Sequence, residues 1–353
     1  MRRINNRSTK EYAIKYLNTC PWFDTHNFQF LKPELRDDPE VAEAAVKKNG
    51  MALKHASERL RDDPEIVKIA VKQNGYALQF SSVRLKDDPE IVTIAVKDNG
   101  MALVDASKRL RDDPEIVKAA ISQSDGWALR SASERLRDNQ DVVTAAVKKN
   151  GLALEYASAR LRDNPDIVIA AVKDHGTAII HASDRFKDNS EVIEAAVKND
   201  GMLLKLASER LRNDPDIVIA AVKNYYGKPL EYASERLRDD PEIVLAAINQ
   251  SDGWVLQYAS ERLKDDPEVV EAAVKKNSLA LSCASERLQV LGVDGVKKLA
   301  EEQKQKREIS NARIDIKNKT LIKKPLSEQI KNAEKTSKID IKSKKIVKDE
   351  VSL

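Results

Sequence analysis

The chain has 353 residues, 41% of them hydrophobic, which is enough to bury packed cores and excludes a disordered coil as its main state. Aromatics make up only 5% and charged residues 33%, the balance of helices cored by Ala, Val, Ile and Leu, so an all-α fold is expected. The net charge of +4 is unevenly spread: residues 304–353 hold fifteen Lys and Arg against seven Asp and Glu, which leaves the preceding residues net acidic and removes any general argument for a polyanion partner.

From the N-terminus, residues 1–36 read as a cap. Ser8 and Glu11 form a candidate capping box before Tyr12, Ile14, Tyr16 and Leu17, and Pro21-Trp22-Phe23 should break that helix. Asn27 to Arg36 reads as a degenerate second helix, with Glu34 where later segments carry arginine. No apolar run is long enough for a classical signal peptide or a membrane span, so the expected setting is a cytosol. Cys20 and Cys283 stand far apart without metal-ligand spacing, so neither a disulfide framework nor a zinc site is expected.

Residues 37–289 are repetitive. The phrase LRDDPE recurs, with small changes, at Leu35, Leu60, Leu85, Leu110, Leu136, Leu161, Phe186, Leu211, Leu237 and Leu263, in steps of 25 residues with three of 26. In the representative segment after Leu60, Asp63 is a good N-cap, Pro64 suits the first helical position and Glu65 favours the positive end of the helix dipole. A helix should run to Asn74-Gly75, where Gly75 can take the left-handed conformation that ends it. A second helix should carry Ala77, Leu78 and Leu85 to the next Asp-Asp-Pro. Neither is long enough to stand alone, so about ten such helix-turn-helix repeats should stack into an α-solenoid with a path on the order of 100 Å.

Comparison among the repeats separates shared positions from variable ones. Glycine fills its position in nine of the ten repeats and becomes Ser278 in the last, which reads as backbone geometry. Arginine at Arg59, Arg84, Arg109, Arg135, Arg160, Arg185, Arg210, Arg236, Arg262 and Arg287 is expected to pair with loop carboxylates or helix-end carbonyls and hold neighbouring repeats in register, against the alternative of an anion-binding ladder. The variable positions lie at the start and middle of the second helix, one α-helical turn apart, and hold seven of the sixteen aromatics. Tyr76, Phe80, Trp127, Tyr156, His181, Tyr232, Trp254 and Tyr258 are therefore the candidate partner-binding stripe, against the alternative that these side chains fill gaps between repeats. The row containing Glu65, Lys68 and Lys72 reads as the solvated face of the first helix. Two QSDGW insertions, at Gln123 and Gln250, should place similar Trp-bearing bulges, and Tyr225-Tyr226-Gly227 carries a third inserted residue.

After the repeats, residues 290–305 should form a polar capping helix, and the Lys-rich segment 306–353 is expected to be disordered. That tail repeats a phrase, RIDIKNKTLIK from Arg313 and KIDIKSKKIVK from Lys338.

The phrase DDPEIVxxAVxxNGxALxxASERLR resembles the family called domain of unknown function (DUF) 4116, over about residues 35–289. That resemblance implies the helical-repeat architecture and no activity. The four histidines, His26, His55, His175 and His181, lack metal-ligand spacing, and no H-E-x-x-H, G-x-S-x-G or phosphate-binding glycine loop is present. No catalytic, cofactor or metal residue is assigned, and the chain is not expected to be an enzyme. The leading expectation is a monomeric protein-protein interaction scaffold. The resemblance and the tail suggest a host-interacting factor of a microbe or large virus, acting in the cytoplasm or delivered into another cell's cytosol. The alternative is a helical-repeat nucleic-acid binder, which the acidic body disfavours.

Overall fold

In each repeat a side-chain oxygen starts the long helix. In the computed structural model, which describes residues 9–19 and 26–322, Asp63 has an extended backbone and its carboxylate accepts from Glu65 N and Ile66 N, so the helix Pro64–Gln73 begins with its orphan donors satisfied. Pro39–Lys48, Pro89–Asp98, Pro114–Gln123, Gln140–Lys149 and their successors start in the same way, with Asn in place of Asp at Asn139, Asn164 and Asn189. Ile66, Val67, Ala70 and Val71 are buried, and the long helices of successive repeats pack side by side.

The second arm differs from the single α-helix expected. Asn74 Oδ1 accepts from Tyr76 N and starts a 3-10 helix, Gly75–Phe80, after which the chain turns extended at Ser81. A separate one-turn element follows, and Ser82 Oγ caps it by accepting from Leu85 N. The break has a cause outside the repeat: Ser82 N donates to Arg61 O of the preceding repeat at 2.9 Å, a bond that a continuous helix would spend on itself. Each repeat is thus a long α-helix, a 3-10 helix and a short closing turn. The all-α solenoid expected from the sequence is the fold, with the second arm in two pieces.

The glycine has a different task from the one expected. Gly75 is not left-handed; a Cβ there would lie 2.3 Å from Ala95 O of the next long helix, so glycine is required by the close approach of two backbones. Only where a residue is inserted, at Gly126, Gly227 and Gly253, does the repeat glycine take a positive φ, of 86°, 70° and 93°. The insertions force it locally, and Asp125 and Tyr226 are drawn to positive φ beside two of them.

The chain divides into two compact units, Met1–Gln250 and Ser251–Leu353. In the first, the helix Lys10–Thr19 packs on Pro39–Lys48 and buries Ala13 and Leu17, as a cap should. The degenerate second helix is two single turns, His26–Gln29 and Pro33–Arg36. Ser8 of the capping box and the Pro21-Trp22-Phe23 break lie outside the described residues. In the second unit the closing helix is longer than the expected 290–305. Glu286–Ile322 is helical with one kink at Gly292, whose φ is 67°, so residues 306–322, expected to be disordered, are helical. Val296 and Ala300 are its buried anchors, and Arg307 Nη1 pairs with Glu268 Oε2 at 2.9 Å. No side chain from Glu301 to Ile314 is buried, so helix-forming Glu, Gln, Lys and Arg carry that stretch. The rest of the tail, 323–353, including the second repeated phrase, lies outside the described residues. Among the described residues no helix is long and apolar enough to cross a membrane.

Candidate interaction surface

The shared arginine is spent on structure. Arg84 Nε donates to Asp62 Oδ1 at 3.0 Å and its Nη2 to Asp62 O at 2.6 Å, while Ser82 Oγ donates to the same carboxylate. The first Asp of the pair thus receives the next repeat and the second caps its own long helix. In the first unit this staple recurs at Arg59, Arg109, Arg135, Arg160, Arg185 and Arg210, and at Arg236 on the neutral Asn213; in the second unit Arg287 makes it with Asp265. Serine hydroxyl and arginine beside it hold the Asp62 carboxyl below its usual range. The solvated face of the long helices carries ion pairs of its own, such as Lys68 with Glu90 of the next repeat at 3.0 Å.

The structure divides the candidate stripe. Trp127 and Tyr156, from adjacent repeats, meet edge to face with centroids 6.1 Å apart, and both are half-buried. Burial raises the Tyr156 phenol above its ordinary pKa. This pair packs across adjacent repeats, as the gap-filling alternative expects. Phe80, His181, Tyr232 and, in the second unit, Tyr258 are also half-buried. Tyr76 and, in the second unit, Trp254 are the exposed members, at 41% and 38%. The two Trp-bearing insertions are not alike: Trp127 N donates to Ser124 O, whereas Trp254 N donates to Asp252 Oδ1.

The stripe was drawn on an α-helical period, and the arm is a 3-10 helix. With three residues per turn, position 79 stands over 76, and 80 is a third of a turn away. The position missed is therefore the one before the last in each 3-10 helix: Lys54, Gln79, Val104, Arg130, Glu155, Ile180, Lys205 and Glu231, with Gln257 and Ser282 in the second unit. All ten are exposed and they share no chemistry. Val104 and Ile180 are 55% and 62% exposed, apolar side chains with no packing role to explain them. The signal was present, since this is the first x in ALxxAS, but only the 3-10 period identifies it as the outward face.

This division gives separate expected outcomes. Trp127→Ala should cost roughly 2 kcal/mol of stability through lost burial and the aromatic contact. Tyr76→Ala should stay within about 0.5 kcal/mol. Urea denaturation of both variants checks the pair; equal losses would return Tyr76 to a packing role.

Among the described residues no cluster of His, Cys, Asp and Glu could hold a metal ion, and His175 makes its near contact with Asp174, Nδ1 to Oδ2 at 2.7 Å. The model of the family described as domain of unknown function (DUF4116) matches in tandem, at residues 9–61, 38–86, 88–137, 123–162, 139–187, 189–238, 224–251 and 240–289. The chain belongs to the DUF4116 family. The matches follow the repeats, most of them covering about two and the one at 224–251 about one, and they begin at residue 9, inside the N-terminal cap. No curated protein and no solved structure matches this DUF4116 chain.

Proposed function

We propose that this DUF4116 protein is a non-catalytic protein-protein interaction scaffold. The observation that carries the reading is the exposed 3-10 row, where one outward position per repeat changes freely from Lys to Val to Glu to Ile while the staple behind it stays constant. A constant frame with a variable outward residue is how repeat stacks present recognition surfaces. The protein acts as a monomer in a cytosol, its own or that of a cell into which it is delivered.

A photoreactive residue placed at Val104, Glu155 or Ile180 should form adducts with a discrete protein in lysate, insensitive to nuclease and to raised salt. The same residue at Lys72 or Lys148, exposed on the long helices, should not. Equal labelling from both faces would count against the scaffold. Adducts with nucleic acid alone, lost as salt rises, would replace it with the nucleic-acid reading.

A further inference from the structure

A second cation recurs in every repeat but the last, and the staple does not use it. The residue after the buried leucine is arginine or lysine throughout the first unit, from Arg36 and Arg61 to Arg212 and Arg238, and Lys264 holds the same place in the second. Its side chain is caught between repeats. The Nε–H groups of Arg61, Arg111, Arg162 and Arg212 are buried and donate to no acceptor, while about a third of the Arg61 side chain, 34%, stays exposed. The stem is thus fixed by packing and the outer nitrogens reach the surface.

Two lysines of the row are paired, Lys187 with Asp184 at 2.6 Å and, in the second unit, Lys264 with Glu261 at 2.9 Å, and Arg36 Nη1 donates to His55 O at 3.3 Å, but the tips of several arginines are electrically unspent. The nearest acid to Arg61 is Glu58, one turn back, at 3.9 Å, the outer limit of an ion pair. Arg111 has Lys108 at the same offset and Arg162 has Ala159, and among the described residues neither arginine forms an ion pair; nor does Arg212. Between Arg212 and Arg238 the surface opens into a cleft of about 630 Å³, which Tyr232 and Glu235 also line. Arg236 stands in the wall of the same cleft, and its staple acceptor is the neutral Asn213 instead of a carboxylate.

We propose that the arginines of this row in the first unit are a docking track for an extended acidic peptide, with each guanidinium tip taking one partner carboxylate and the Arg212–Arg238 cleft forming one of its seats. The proposal rests on the scaffold reading and specifies the chemistry of its partner. A guanidinium whose stem is already immobilised loses little further entropy on pairing, and its planar fork matches a carboxylate. Stacked repeats advance by on the order of 10 Å, the span of about three extended residues, so a partner with an acid at every third position fits. A polynucleotide fits less well. Its strand carries a charge about every 3.4 Å of helix axis even before the second strand is counted, and it would have to cross the exposed Glu58, Glu134, Glu209 and Glu235 beside the row.

The test uses the full chain and a labelled peptide of about four Glu-Ser-Gly triplets, read by fluorescence anisotropy. An isomer with its glutamates clustered and a single-stranded oligonucleotide of equal charge serve as comparison probes. Arg111→Gln/Arg162→Gln/Arg212→Gln should weaken binding of the spaced peptide by about tenfold or more. Lys72→Gln/Lys148→Gln/Lys223→Gln, equal in charge but on the long helices, should change it less than about twofold. Glutamine is accommodated in this register, since Gln289 holds it in the last repeat and donates to Ala284 O at 2.7 Å. A second variant does not disturb the row: Glu209→Gln/Glu235→Gln should tighten binding several-fold by removing competing carboxylates. No binding of the spaced peptide at micromolar concentration, equal losses in the two cation variants, no gain from the acid-free variant, or tighter binding of the oligonucleotide would each overturn the track. If the track fails while Val104, Glu155 and Ile180 still cross-link a protein, the scaffold stands without it; if those cross-links fail too, the scaffold falls.

Discussion

Gly151→Ala is expected to destabilise the chain by about 3 kcal/mol, read as a shift of the urea midpoint, although the change adds a single methyl group to a residue that is not left-handed. The new Cβ would lie 2.2 Å from Ala171 O, 3.0 Å from its carbonyl carbon and 3.2 Å from its Cα. All three are backbone atoms of the next long helix, so no rotamer change relieves the overlap. Ala171 O also accepts from His175 N at 2.8 Å at the end of its helix, which ties it in place. The overlap can be relieved only by moving two repeats apart, and that movement would strain the staple between them. Because each repeat touches only its neighbours, the damage should be local and the unfolding curve should broaden. Ser278→Ala, at the equivalent position of the last repeat, is the control, expected within about 0.5 kcal/mol because the residue is exposed and its position already carries a Cβ. A Gly151→Ala midpoint indistinguishable from that control would mean that the repeats can separate at little cost.

What could be read from the sequence was whatever a repeat does within itself. Asp63-Pro64-Glu65 announces a helix start because cap, first-turn proline and dipole all act within a few residues, and the helix begins there. The second arm misled because Ala77, Leu78 and Leu85 also fit an α-helical face. The corrective signal was the serine before Glu-Arg-Leu: Ser57 and Ser133 are N-caps of new turns, a sign that the preceding helix has ended. The difference between the two aspartates of Asp62-Asp63 was not legible, since Asp62 finds its partners Ser82 and Arg84 only once repeats have stacked. The candidate surface suffered from the same limit. Pairing position 80 with 76 and passing over 79 followed from an α-helical period, and Arg61 and Arg111 went unmarked because the burial of their Nε atoms arises only in the folded stack.

Acid should unfold this protein through the same staples. In Asp37, Asp62, Asp87, Asp112, Asp138 and Asp163 the serine hydroxyl first, and then the arginine, holds the carboxyl below its usual range; Asp188 is lowered chiefly by Ser208, and Asp265 chiefly by Arg287. A carboxyl depressed in the folded state contributes stability that is fully present above its unfolded value, near 3.9, and is lost as pH falls through its folded one. The melting temperature, followed by circular dichroism, should therefore be flat from neutrality down to about pH 4 and fall steeply below it. The carboxylates are partly exposed, so each contributes little, and the steepness comes from their repetition along a stack in which every junction supports its neighbours. The Arg236 junction shows that the geometry survives without the charge: Asn213 Oδ1 accepts from Ser234 Oγ at 2.6 Å and from Arg236 Nε at 2.8 Å. Asp112→Asn/Asp138→Asn/Asp163→Asn should accordingly fold, melt somewhat lower at neutral pH and lose less on acidification than the parent chain. An unchanged acid limb in that variant would locate the acid sensitivity elsewhere and reduce the row of staples to a geometric register, with its charges contributing nothing.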